Sequence, residues 1–243
     1  MLNKSILLNL RMVKSDMGTA VGLMIICAVL YMFASGSIFF PGGTVVLLAT
    51  LLVYIIFYIK VVNKICFRSF FDDEGSMYMT LPISAKETVL GKILTIAGFS
   101  TFMQVLLIAG MMLFLFFTGV STDSLLSSLA AELPPLDESR LETSIAFGLM
   151  PISVFASCLF SAALILTVFL KLGLQKKKLL PCWIIYFIIS KAVTFVIEQI
   201  GKLFEDISLG IVLDEMIGIL FFLVITSLLV KYCVKNLEER YDV

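Results

Sequence analysis

Residues Ile93 to Phe117 read ILTIAGFSTFMQVLLIAGMMLFLFF, twenty-five residues without a charge. A helix rises 1.5 Å per residue and the hydrocarbon core of a bilayer is roughly 30 Å thick, so about 20 such residues cross it. The stretch lacks the polar–apolar alternation of short barrel strands. It therefore specifies a membrane-spanning α-helix, and five more runs of the same kind surround it.

Six spans emerge from hydropathy: Met17–Phe33, Thr44–Ile59, Ile93–Phe117, Ile145–Leu170, Leu179–Ile197 and Ile211–Val234. The composition agrees, with 60% hydrophobic and only 15% charged residues among 243 and a mean hydropathy of +1.08. A soluble domain is nearer half apolar and a quarter charged. The expected fold is an all-α integral membrane protein: an interfacial segment 1–16, then one six-helix domain 17–243 with a cytoplasmic loop over 60–92.

Lysine and arginine near span ends stay in the cytoplasm. An inside N-terminus puts fifteen basic and eight acidic residues on the inner face, and three basic and ten acidic residues outside. The formal charge of zero thus hides a strong asymmetry, and both termini are expected inside a cytoplasmic membrane. The first span has a basic lead but no small-x-small cleavage site after it, so it reads as retained. Five cysteines, none in an outer loop, imply no disulfide framework.

Leu2, Ile6, Leu10 and Val13 recur at helical spacing among Asn3, Lys4, Asn9, Arg11 and Lys14. The pattern predicts an amphipathic helix in the inner interface, against the alternative of a disordered basic lead. Val196, Ile200, Leu203, Phe204 and Ile207 form a second stripe, predicting a short helix at the outer surface between spans five and six.

The loop between spans two and three is the densest polar insert. Ser84-Ala85-Lys86-Glu87 has capping-box spacing after Pro82, which predicts a helix start at about Ala85. Helix from there to Phe117 is about 50 Å long, more than the bilayer needs. Ser69-Phe70-Phe71-Asp72 has similar spacing, setting Asp72, Asp73 and Glu74 at the positive end of a short helix. Phe70, Phe71, Met77, Tyr78 and Met79 would give that helix an apolar surface. Read alone, Asp72-Asp73-Glu74-Gly75 would be a solvated turn.

The whole string resembles the permeases of ABC-2 type ABC transporters, in which a Phe-acidic-acidic-Glu-Gly stretch and then Thr-Leu-Pro-(Val/Ile)-Ser join the second and third spans. Here they are Phe71-Asp72-Asp73-Glu74-Gly75 and Thr80-Leu81-Pro82-Ile83-Ser84, with Gly91-Lys92 shortly after. The resemblance implies a type V, ABC-2 exporter-like arrangement with an N-terminal connecting helix and a coupling helix in the loop. It further implies a homodimer, or a heterodimer with a related permease, docked on a separate ABC ATPase subunit. Phe70, Phe71, Asp72, Asp73, Glu74, Gly75 and Tyr78 would make that contact. The loop from about Thr118 to Ser144, broken by Pro134-Pro135, is longer than the family usually shows.

The chain carries no G-x-x-x-x-G-K-[ST], so ATP and magnesium are expected on the partner and no cofactor or metal on this chain. It has no histidine, which removes H-E-x-x-H sites and Ser-His dyads. A Ser-Lys arrangement around Ser190 and Lys191 is the remaining enzymatic alternative. No nucleic-acid partner is expected, and membrane lipid is. Polar groups within spans are costly and so are candidate pathway or gate residues: Thr101, Gln104 and Lys191. Lys191 has two readings, an anion contact or a side chain snorkelling outward from near the span end. Ser153, Ser157 and Ser161, with Gly18 and Gly22, read as small-residue helix packing rather than pathway. An uncharged cavity suits an amphipathic cargo. Permeases with this motif resemble exporters of antimicrobial or cytolytic peptides, with lipid-like or antibiotic compounds as alternative cargo and a non-transporting sensor or immunity protein as the alternative role.

Overall fold

Prolines and a capping box mark where the helices begin in the computed structural model, which describes residues 2–35, 41–68, 84–117, 139–172, 179–202 and 210–241. The helices are α1 (Leu2–Ser35), α2 (Pro41–Val62), α3 (Ala85–Phe117), α4 (Ser139–Leu172), α5 (Leu179–Lys202) and α6 (Gly210–Tyr241), with a π-helical turn over Asn63–Arg68 prolonging α2. No strand occurs among the described residues. Pro41 opens α2 and Pro181 falls in the first turn of α5, where a missing amide hydrogen costs nothing. At α3 the Ser84 hydroxyl accepts from the Glu87 amide at 3.3 Å, and the Glu87 carboxylate accepts from the Ser84 amide at 3.3 Å. That reciprocal pair is the capping box expected from the sequence, and it starts the helix at Ala85 as expected.

Five described stretches are long and apolar enough to cross a membrane: Leu48–Cys66, Ala85–Ala109, Gly148–Leu172, Leu180–Ile200 and Glu215–Glu239. Their outward surfaces are apolar. Leu48, Leu52 and Ile56 on α2 and Leu220, Val224 and Leu228 on α6 recur every four residues and are exposed. Water would not tolerate such stripes over whole helices, and lipid does. The chain is a multi-pass α-helical membrane protein.

The helices run past several of the boundaries expected from sequence. Residues 2–16 run without a break into the remainder of α1, so the expected border at residue 16 lies within one helix. The expected first span, Met17–Phe33, belongs to that helix, although most of its side chains beyond Cys27 lie outside the described residues. Helix α2 does not stop at Ile59 but runs to Val62 and on through the π turn, and the stretch long and apolar enough to cross a membrane there is Leu48–Cys66. The outer stripe is divided: Val196 and Ile200 continue α5, while Leu203, Phe204 and Ile207 lie outside the described residues.

Helix α4 is the centre of the bundle. It packs along α6, and against α3 and α5, while α1 lies against α2 and α3. Its buried side chains include Ala162, Ala163, Ile165, Leu166 and Phe169. Phe160 meets Phe222 of α6 at 5.3 Å between ring centroids, and the Thr167 hydroxyl lies 3.2 Å from Cys233 Sγ. None of the five cysteines is in a disulfide.

Candidate functional site

Two polar groupings sit among these apolar helices. The first is a cleft of about 210 Å³ bounded by α2, α3, α4 and α5. Tyr54 and Tyr58 are one helical turn apart on α2 and stack with centroids 6.0 Å apart. Trp183 of α5 closes the aromatic wall, 6.2 Å from Tyr58 and 5.8 Å from Tyr186, both edge-on. Buried indoles need a partner for their one polar atom. Trp183 Nε1–H donates to Asn63 Oδ1 at 3.2 Å, in the π turn.

The opposite wall is polar. The single thiol hydrogen of Cys158 has two acceptors in reach, Ser100 Oγ at 3.6 Å and Gln104 Oε1 at 3.8 Å, and Ser100 Oγ lies 3.5 Å from the Tyr54 hydroxyl. Ser157 and Ser161 complete that side. The lining carries no carboxylate, amine or guanidinium. Such a wall of hydroxyls and ring faces can hold an uncharged or cationic group, the latter through the ring quadrupoles. Its volume is below the 300–1,000 Å³ typical of drug-sized ligands, so it admits one side chain or small group.

The second grouping ties α1, α2 and α3 together at their lysine-bearing ends. The polar edge of α1 faces inward: Ser5, Asn9 and Asp16 are buried on the same side as Val13, whereas Leu7 and Leu10 are exposed. The apolar stripe expected from Leu2, Ile6, Leu10 and Val13 is therefore split, with Val13 turned to the protein and Leu10 outward. Asp16 lies 2.7 Å from Lys60 Nζ and 3.2 Å from Lys64 Nζ. The hydrogen bond from the Lys60 ammonium, opposed by burial and reinforced by Lys64, holds its carboxyl below the usual carboxylate range.

Lys92 is fully buried on α3, and its Nζ donates to the Ile65 carbonyl at 2.8 Å. Ile65 lies in the π turn, whose hydrogen bonds are spaced five residues apart. One residue earlier, a Cβ added at Gly91 would collide with the Ser5 side chain of α1. Gly91 is thus the small residue that lets two helices close, the role expected of Gly18 and Gly22. A Cβ at either of those two meets nothing within 4 Å. The adjacent pair Gly91-Lys92 makes a three-helix junction.

Of the other sequence candidates, Gln104, Ser157 and Ser161 meet at the cleft, and Ser153 does not line it. Thr101 also lies off it, its buried hydroxyl lacking a hydrogen bond. Lys191 is exposed on α5, away from the cleft. Phe70, Phe71, Asp72, Asp73, Glu74, Gly75 and Tyr78 lie outside the described residues. Sequence reasoning missed Tyr54, Tyr58, Ser100, Cys158, Trp183 and Tyr186, though the single tryptophan was a signal. It also missed Asp16, the one acid among the basic residues before the first span. No protein-family model, curated protein or solved structure matches the chain.

Proposed function

We propose that this chain is the permease subunit of an ATP-driven ABC exporter in a bacterial cytoplasmic membrane, working as a dimer with a separate ATPase subunit docked on the segment between α2 and α3. The observation that carries the proposal is the string Phe71-Asp72-Asp73-Glu74-Gly75 and, after it, Thr80-Leu81-Pro82-Ile83-Ser84. The setting of that segment adds support. It leaves from the π turn at Arg68 and re-enters at the Ser84 capping box, and the Lys92–Ile65 hydrogen bond ties those two ends together. A push on the segment would move α2 and α3 as a unit, and α1 with them through Asp16 and Gly91, as a rigid-body switch requires.

The cargo we assign is an amphipathic or antimicrobial peptide. The cleft within one subunit is too small for a helical peptide, so the pathway would lie between two subunits, with the aromatic cleft receiving a single side chain. The test uses Glu74→Ala and Gly75→Pro in the full chain, coexpressed with the ATPase subunit. Both variants should insert normally yet lose the co-purifying ATPase or uncouple its hydrolysis from export. Normal assembly and coupled export in both would remove the reading.

A further inference from the structure

A groove of about 650 Å³ runs between α3, α4 and α6 on the outside of the bundle and shares no lining residue with the aromatic cleft. Its floor and walls are aliphatic, with Leu94 from α3, Leu159 from α4, and Leu223 and Val230 from α6. One end carries three lysines: Lys86 in the first turn of α3, and Lys231 and Lys235 one turn apart on α6. Three acids accompany them among the described residues. Glu238 shares the rim, Glu239 lies 3.7 Å from Lys235 in a solvent-exposed pair worth little, and Glu87 is engaged in the Ser84 capping box.

We propose that this groove is a binding site for one anionic phospholipid from the leaflet at the lysine-bearing helix ends. Lys231, Lys235 and Lys86 hold the phosphate, and an acyl chain lies along α6 toward Leu223. Dimension and charge argue for this occupant. From Lys235 to Leu223 is twelve residues, about 18 Å of helix, close to the roughly 15 Å of one leaflet's hydrocarbon. Basic pockets between membrane helices select acidic headgroups because each lysine there adds to the attraction for phosphate. A second copy of this chain fits poorly. A two-fold axis along the membrane normal would set the lysine rim against itself at equal depth, like charge on like.

Native mass spectrometry of the full chain, purified in a mild detergent, tests the site with phosphatidylglycerol and phosphatidylcholine of identical acyl chains. The native chain should retain one phosphatidylglycerol in preference to phosphatidylcholine. Lys231→Gln with Lys235→Gln should weaken phosphatidylglycerol retention about tenfold to thirtyfold, whereas the control pair Lys4→Gln with Lys171→Gln should not. Leu159→Trp, which fills the groove and leaves the lysines, should lower retention of both lipids. Equal retention of the two lipids by the native chain would overturn the proposal. So would full retention by the Lys231/Lys235 variant, or displacement of the lipid by soluble glycerophosphate at equal concentration. Cross-linking of two chains through Ser227→Cys, above the native background, would seat a second copy in the groove and overturn it as well.

Discussion

Asp16→Asn isolates the contact that fastens α1 to α2. The Asp16 side chain is 12% exposed, with Lys60 at 2.7 Å but 58% exposed and Lys64 at 3.2 Å and 27% exposed. Exposed pairs contribute about 0.2–1 kcal/mol, and breaking a fully buried pair costs about 3–5 kcal/mol. Solvent screening keeps Lys60 in the first range, and Lys64 falls between the two. Asparagine keeps a hydrogen-bond acceptor, so the expected loss is about 2 kcal/mol, or about 4–8 °C in unfolding midpoint for a chain of this length. The depressed carboxyl pKa adds a pH signature. Its stabilisation is complete above the ordinary carboxylate value of about 4 and fades as pH falls through the lower folded value. Thermal scans of the native chain and Asp16→Asn in one detergent, from pH 3 to pH 7, should therefore differ at neutral pH and converge in acid. Lys60→Met and Lys64→Met should each show non-additivity with Asp16→Asn. Midpoints within about 1 °C at pH 7, or parallel pH profiles, would refute the reasoning.

Gly91→Val drives a branched side chain into Ser5 and should cost about 1–3 kcal/mol, read as a lower unfolding midpoint; Gly22→Val, with open space around it, should be near neutral. Trp183→Phe removes the donor to Asn63 and leaves a smaller ring, for a loss of about 1–2 kcal/mol; an unchanged midpoint would mean that the bond carries no weight. As the single tryptophan, Trp183 also reports on the cleft, and Tyr58→Ala should redden its emission by admitting water.

Local signals carried well from sequence to structure. The Ser84–Glu87 cap needs only one short stretch of chain, and α3 starts where that spacing puts it. Hydropathy sets the end of the second span at Ile59, before Lys60 and Lys64, because lysines read as an exit from the bilayer. The carboxylate that pairs with both, Asp16, belongs to another helix far back in the chain and could not be read from that stretch. The aromatic cleft was illegible for the same reason, since Tyr58 and Trp183 stand far apart in sequence and meet only in the folded bundle. Gln104 was found because a polar side chain deep in a span is costly wherever its partners come from. Gly18 and Gly22 show the converse, for helical spacing does not say which element supplies a neighbour, and among the described residues none comes within 4 Å of a Cβ at either.

The buried amine of Lys92 has a consequence for how the protein is made. Released alone into lipid, α3 would carry an ammonium near the start of an apolar helix, and the acceptor at Ile65 belongs to the helix synthesised before it. The two are then expected to leave the translocon as a hairpin, with α2 waiting for α3, so that the amine never faces hydrocarbon unaided. Lys92→Met should free α3 to insert by itself; if a fragment beginning at Ser84 inserts equally well with either residue, pairing during biogenesis is not required.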